Sequence, residues 1–255
     1  MTLATVKLGA GRDETYWTSM LDELPVFAEP SSLSKVLLLA PHPDDEVLAC
    51  GGLLQRWYRL GAHIDIWMIT DGEACFGDDV DAAEVATRRR LEAGEAHKRL
   101  SIEATVTWLE LPDSKVARHA QQLQAMLNAY LDSTERAQLV LIAPLPLDGH
   151  PDHNCVGAVA YELARQRKLM LLQYPIWMWH SGSSAELQTA NVFRNELSEA
   201  EKIRKRDAIA AFSSQIRPEH GPAVLPRSVL RHFRRSFEVV FVEDFRVNTN
   251  PSTIL

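Results

Sequence analysis

What most constrains the fold of this chain is a repeated change of pattern: a short strand-like run, a polar loop, then a helix-length segment. After Lys35, residues 36–40 are continuously apolar, as a parallel strand covered on both faces should be, rather than alternating as a half-exposed strand would. The polar loop 41–46 follows, and residues 47–60 carry apolar side chains at near-helical spacing up to Gly61, a suitable helix stop. The same order recurs with strands at 64–70, 105–109 and 138–143 and helices at about 81–100, 117–131 and 153–166, before a fifth strand at 169–174. Such βα repetition predicts an α/β fold built on a mainly parallel sheet with helices on both faces.

The flanks are less regular. Residues 2–34 are expected to carry a short helix near 16–24 packed on the outside. Residues 180–190 read as loop, 198–212 as a helix, and 237–242 as a final strand added at the sheet edge, where the segment also supplies a pocket wall. No repeat or low-complexity linker divides the 255 residues, so one domain spanning 1–255 is expected.

Asp and Glu number 34 against 27 for Lys and Arg, a formal net charge of −7. That field opposes nucleic acid and anionic membrane surfaces and favours a small or uncharged partner. The basic stretches 202–206 and 231–235 are expected to be solvated faces. Residues 1–7 lack the basic start and apolar core of a signal peptide, and no apolar run is long enough to span a bilayer. A cytoplasmic protein with no integral membrane segment is therefore expected. Cys50, Cys75 and Cys155 show no CxxC spacing, which suggests neither a disulfide framework nor a cysteine-rich zinc site. Cys50 and Cys155 are expected to pack as small apolar residues.

In an open parallel sheet, ligands bind beyond the carboxyl ends of the strands. Two loops in that position are unusual: Pro41-His42-Pro43-Asp44-Asp45-Glu46 and Asp148-Gly149-His150-Pro151-Asp152-His153. A divalent metal explains this concentration of imidazole and carboxylate, since a catalytic zinc usually keeps three such ligands and one open position. His42 and Asp45, three apart, can reach one side of a tight turn, and His153 can close the site from the second loop. Asp44, pointing away from its neighbour, suits a general base. His150 can enter the same pocket without binding metal, with Asp152 bonded to its ring and holding it oriented. Glu46 serves as a helix start or a support behind the ligands. No GxGxxG follows the first strand, which argues against a dinucleotide site.

The run His42-Pro43-Asp44-Asp45-Glu46 with Cys50-Gly51-Gly52, and the run Gly149-His150-Pro151-Asp152-His153, resemble the two signatures of the PIG-L (LmbE-like) deacetylase family. The resemblance extends through Thr70-Asp71-Gly72, Arg89-Arg90-Leu91-Glu92, Leu111-Pro112-Asp113 and Ala211-Phe212-Ser213-Ser214-Gln215, covering a core at about 35–215 behind an N-terminal extension, 1–34. It implies a Rossmann-like fold, zinc held by His42, Asp45 and His153, Asp44 as base, and His150 with Asp152 opposite. Arg89 matches a family arginine near the substrate pocket, with Arg88 the alternative in register. Phe212 departs from the family, which often has His there. The aromatic stretch 174–180 serves either as a cleft wall against a sugar ring or as core packing.

The expected reaction is hydrolysis of an N-acetylated sugar or glycoconjugate. Zn²⁺ polarises the acetyl carbonyl, Asp44 takes the water proton, protonated His150 faces the developing oxyanion, and Asp44 or His150 protonates the amine. Fe²⁺ suits the same donors. Hydrolysis of another amide, as by a mycothiol-conjugate-type amidase, and noncatalytic sugar binding are the rival readings.

Overall fold

The computed structural model describes residues 11–30, 33–135, 138–188 and 191–246. The leader reading at 1–7 and the last two residues of the loop-like stretch 180–190 lie outside them. Five strands run parallel: β1 Lys35–Ala40, β2 His63–Met68, β3 Ala104–Trp108, β4 Leu139–Pro144 and β5 Met170–Tyr174. Two more, β6 Val192–Glu196 and β7 Phe237–Asp244, complete a seven-stranded sheet of order β3-β2-β1-β4-β5-β7-β6. The final strand was expected at the edge and instead lies inside, antiparallel to both β5 and β6. The edge is β6, and residues near Val26 cover it, with Phe27 N–H donating to Arg194 O and Arg194 N–H to Pro25 O. An unpaired edge invites association, and this one is partly paired by the N-terminal segment.

The helices are α1 Glu14–Asp22, α2 Asp45–Arg59, α3 Ala82–Leu100, α4 Ala120–Ser133, α5 Pro151–Arg167, the short α6 Met178–Ser181, α7 Glu199–Ile209 and the short α8 Ser213–Ile216. Strand alternation sends Val36, Leu38 and Ala40 to one face, into a core with Leu53, Trp57, Ala96 and Ala208. Leu37 and Leu39 go to the other face, with Leu123, Leu127, Val156 and Leu163. Both faces are dry, which is why β1 is apolar at consecutive positions. Gly157 lets α5 lie close on the end of β4: a Cβ there would stand 2.5 Å from Pro144 O.

The basic stretches are not simply solvated. Lys205 is buried, 2.7 Å from Glu238 Oε1, and Arg235 stacks over the Trp179 ring at 4.2 Å. Cys50 is buried in the apolar core, as expected of a small helix-packing residue. Among the described residues, no helix is long and apolar enough to cross a membrane.

Candidate metal centre

Because β1 is flanked by β2 on one side and β4 on the other, the chain turns opposite ways from these central strands, opening a crevice at their carboxyl ends. The loop after β1 brings His42 and Asp44 there, and Asp45 is the first residue of α2. Asp45 Oδ2 accepts the His42 backbone N–H at 2.9 Å, which folds the three-residue spacing back on itself. The loop after β4 ends at His150, the N-cap of α5. Pro151 then occupies the first turn, where its missing N–H costs nothing, and His153 follows.

His42 Nδ1, Asp45 Oδ2 and His153 Nε2 form a triangle with edges of 3.5, 3.3 and 3.2 Å. Three donors sharing one zinc at about 2.0–2.2 Å with tetrahedral angles stand roughly 3.3–3.6 Å apart, so the donor set fits a single ion of that kind. The chemistry of the surroundings agrees. Asp44, Asp45, Glu46, Asp113, Asp148 and Asp152 are all buried, and among them Arg89 is the buried guanidinium. Buried carboxylates require compensating charge, and a divalent cation supplies it.

The far nitrogens of both histidines meet carboxylates. His42 Nε2 lies 3.2 Å from Asp113 Oδ1 and 3.4 Å from Asp152 Oδ2, and His153 Nδ1 lies 2.9 Å from Asp148 Oδ2. This last contact is an ion-pair distance rather than an aligned hydrogen bond. Carboxylates so placed fix the ring and make the ligating nitrogen a better donor. Asp148 is itself anchored by the backbone N–H groups of Ile176, Trp177 and Met178 at 2.8, 3.0 and 3.1 Å. Asp113 Oδ2 accepts from Ala74 N–H at 3.0 Å. Burial works against protonation of His42 and His153, yet Asp113, Asp152 and Asp45 raise His42, and Asp45 with Asp148 raises His153 to about 9; pairing with the two rings in turn holds Asp45 low despite its burial.

Asp44 stands beside the triangle with φ of 141°, a backbone conformation that costs a non-glycine residue about 1–3 kcal/mol. Two side chains hold it there. Arg89 donates to Asp44 Oδ2 at 3.0 Å and to Pro43 O at 2.7 Å, and Glu46 accepts the Asp44 N–H at 3.1 Å while its other oxygen meets His97 Nε2 at 2.9 Å. Burial pushes the Asp44 carboxyl up to about 8, opposed by Arg89 and aided by the repulsion of Asp45 and Glu46. Arg89 also donates to Gly72 O at 3.1 Å. Gly72, at φ +64°, is required there, because a Cβ would fall 1.8 Å from the guanidinium.

Arg89 is therefore the inward residue of the Arg88-Arg89-Arg90 run. Arg88 pairs with Glu219, and Arg90 with Asp71 and Glu110. Arg89 was expected to face substrate, and it grips the loop that carries Asp44.

The expected pairing of the Asp152 carboxylate with the His150 ring is replaced by another arrangement. Asp152 Oδ1 and Oδ2 accept from the backbones of Val116 and Ser114 at 3.1 and 2.7 Å, while its own N–H donates to His150 Nδ1 at 3.2 Å. The helix start dictates this, since the cap atom of α5 is the imidazole itself. The His150 ring stands edge-on to His42 at 4.9 Å and lies stacked near Trp177 at 6.2 Å. Burial and the flanking histidines lower it to about 3, so it is neutral. With Nδ1 accepting, its proton sits on Nε2.

In the aromatic stretch, Tyr174 and Trp179 are buried core residues, whereas Trp177 is half-buried beside His150. Phe212 is fully buried, and the Ser-Ser after it bonds Glu92. Asp113 and Asp148, which back the two histidines, were given no role by the sequence; Asp148 opens the second loop and Asp113 closes the stretch Leu111-Pro112-Asp113 of the family resemblance.

A family model described as PIG-L, GlcNAc-PI de-N-acetylase, matches residues 37–164, just over half of the chain. A diacetylchitobiose deacetylase of Thermococcus kodakarensis is 27% identical over 135 residues, covering 52% of this chain and 49% of that relative; the match thus spans about half the relative's length. Two solved structures share the fold. One is the N,N′-diacetylchitobiose deacetylase of Pyrococcus horikoshii with an inhibitor, at 19% identity, TM-score 0.60 and coverage of 83% of this chain and 84% of that one. The other is a zinc-inhibited teicoplanin deacetylase, at 15% identity, TM-score 0.60 and coverage of 82% and 97%. With both sequence signatures folded onto one crevice and the family model matching across them, this chain belongs to the PIG-L family.

Proposed function

We propose that this protein is a zinc-dependent hydrolase that removes the acetyl group from an N-acetylated amino sugar or glycoconjugate, releasing acetate and a free amine. The observation that carries the reading is the 3.2–3.5 Å triangle of His42, Asp45 and His153 with the buried carboxyl of Asp44 beside it. The deacetylase names of the relatives support an acetylated sugar as the substrate class.

An ion held by the triangle supplies Lewis acidity toward the acyl oxygen and toward water. Asp44, otherwise pushed up to about 8 by burial, would be drawn toward its charged form by a cation in the triangle, so that it accepts the water proton as the new C–O bond forms while Arg89 keeps one of its oxygens fixed. His150, neutral with its proton on Nε2, acts as a hydrogen-bond donor to the developing oxyanion rather than as a cation. It has no second proton to give, so Asp44 returns the one it took to the leaving nitrogen as the C–N bond breaks. Trp177, next to His150, is the aromatic side chain in position to bound the sugar.

The test is metal analysis of the purified protein together with acetate release from N-acetylated monosaccharides, chitobiose and glycoconjugates. About one zinc or iron per chain and release from at least one sugar amide is the expected result. A folded protein that binds no divalent metal, or a loaded protein that cleaves only non-sugar amides, would falsify this assignment.

A further inference from the structure

The N-terminal segment lies outside the family-matched residues, yet its contacts converge on the structure behind the metal centre. Trp17, on α1, is fully buried; its indole Nε1–H donates to Trp179 O at 2.9 Å, and its ring meets the Trp179 ring edge-on at 5.1 Å. Just before it, Arg12 donates from its backbone N–H to His180 O at 2.8 Å and from Nε to Gly182 O at 3.2 Å. Glu14, in the first turn of α1, pairs with His232 and Arg235, and Arg235 covers the other aromatic partner, Trp179. Residues 12–17 therefore fasten the backbone of 179–182 at three points.

That backbone continues directly from residues 176–178, whose three N–H groups converge on the carboxylate of Asp148. Asp148 in turn stands 2.9 Å from His153 Nδ1. A turn offering three N–H groups to one carboxylate is an anion nest, and its geometry depends on the turn staying closed. Its own bonds, from His180 and Ser181 N–H to Trp177 O and from Gly182 N–H to Met178 O, are short-range, so the clamp from the N-terminal segment adds a long-range restraint to those from Asp148 and Arg235.

We propose that residues 11–22 form a brace for the metal centre, with Trp17 as its positioning residue, acting through Trp179, the 176–178 turn and Asp148 on the ligand His153. This inference rests on the metal-centre reading above for its functional consequence, though its structural half stands apart from metal.

Trp17→Phe removes the indole N–H while retaining an aromatic ring, and Arg12→Ala removes the side-chain fastening at Gly182. Phe27→Leu serves as the comparison, because it sits in the same N-terminal region but packs on Trp57 and Phe193, away from the turn. Two quantities are measured: amide hydrogen exchange of residues 176–178 in the zinc-free proteins, and zinc affinity by chelator competition.

Loss of one buried hydrogen bond corresponds to about a three- to tenfold change. Exchange at 176–178 should quicken by that factor in Trp17→Phe, and by a measurable but smaller one in Arg12→Ala, whose bond to Gly182 O is exposed, with zinc affinity falling several-fold in Trp17→Phe. Phe27→Leu should lower the thermal midpoint without either change. Parental exchange at 176–178 in both brace variants overturns the proposal, as does an equal effect from Phe27→Leu, which would mean general loosening. Faster exchange in a protein that binds no zinc even as the parent overturns the functional half together with the metal-centre reading.

Discussion

Replacing Arg89 with methionine removes three hydrogen bonds from a 3% exposed guanidinium: to Pro43 O, to Asp44 Oδ2 and to Gly72 O. It also leaves the buried Asp44 carboxyl without its counter-charge in a strained backbone conformation. Removing one partner of a buried ion pair costs about 3–5 kcal/mol. Protonation of Asp44 offsets part of this, because burial already pushes its carboxyl to about 8, but the two carbonyl acceptors still lose their donors. Urea denaturation of the zinc-free protein at about pH 8.5, where the parent's Asp44 is charged, should therefore show a loss of about 3 kcal/mol, the lower end of that range. In an Asp44→Asn background, where no charge is left to strand, Arg89→Met should cost only about 1–2 kcal/mol; the difference is the coupling of the pair. Turnover of the zinc-loaded Arg89→Met protein should fall along with stability, since Asp44 loses its orientation and the guanidinium that favours its charged form. If Arg89→Met keeps parental stability within about 0.5 kcal/mol and only raises KM, Arg89 faces substrate and the gripping role is refuted.

Asp45→Ala should lose zinc along with activity, whereas Asp44→Ala should keep zinc and lose about 10²–10⁴-fold in turnover; zinc content and acetate release on both variants separate the roles, and reversed phenotypes would exchange them. Asp148→Ala strips the carboxylate behind His153 and should weaken zinc binding about 10–100-fold by chelator competition; an unchanged affinity would mean that the ring needs no support. Glu201 is buried, which would raise its carboxyl, but Arg56 and the Ser198 backbone hold it down at about 2. A depressed folded-state pKa contributes stability that is complete above the unfolded value near 4.5 and is lost as pH falls from there toward 2. The urea midpoint should thus drop more between pH 5.5 and pH 3 for the parent than for Glu201→Gln, and equal drops would count against the ion pair.

The central strands and their helices were legible because burial on both faces leaves an unmistakable record, as in Val36 to Ala40. The antiparallel end of the sheet was not. In β6, Val192 and Asn195 are buried while Phe193 and Arg194 are only half-covered, a pattern too mixed to mark a strand. Nor does any local pattern in β7 say that it inserts between β5 and β6. At the site, His42, Asp45 and His153 were visible because each sits where a parallel strand ends. The orientation of Arg89 follows from its helix: in α3 the buried positions Val85, Arg89, Glu92, Ala93, Ala96, His97 and Leu100 form one stripe, with Arg89 at its centre and Arg88 and Arg90 half-covered at its flanks. Asp148 and Trp17 act through contacts 28 to 162 residues away along the chain, and no local pattern encodes those.

A second buried acid shows by contrast why the crevice, rather than another polar cluster, is the candidate metal centre. Glu238 enters the middle of α2, accepting the N–H groups of Gly52 and Leu53 at 2.6 and 2.9 Å. Lys205 and the Asn195 amide complete its shell at 2.7 and 3.0 Å. One carboxylate there meets one ammonium, and its oxygens are fully engaged, so the protein closes that charge balance by itself. In the crevice, six buried carboxylates surround one guanidinium and four imidazoles, His42, His97, His150 and His153, of which His150 is neutral. Asp152 is satisfied by backbone donors, as Glu238 is. Asp45, by contrast, directs Oδ2 toward two ring nitrogens that also face each other at 3.2 Å. A shared proton or a cation can bridge two ring nitrogens held that close, and Asp45 on the third side makes a cation the better fit. The two clusters share burial and residue types; what separates them is that the first closes its charge balance with one ammonium, whereas the second directs two imidazoles and a carboxylate toward one point, which is why it is the proposed metal site.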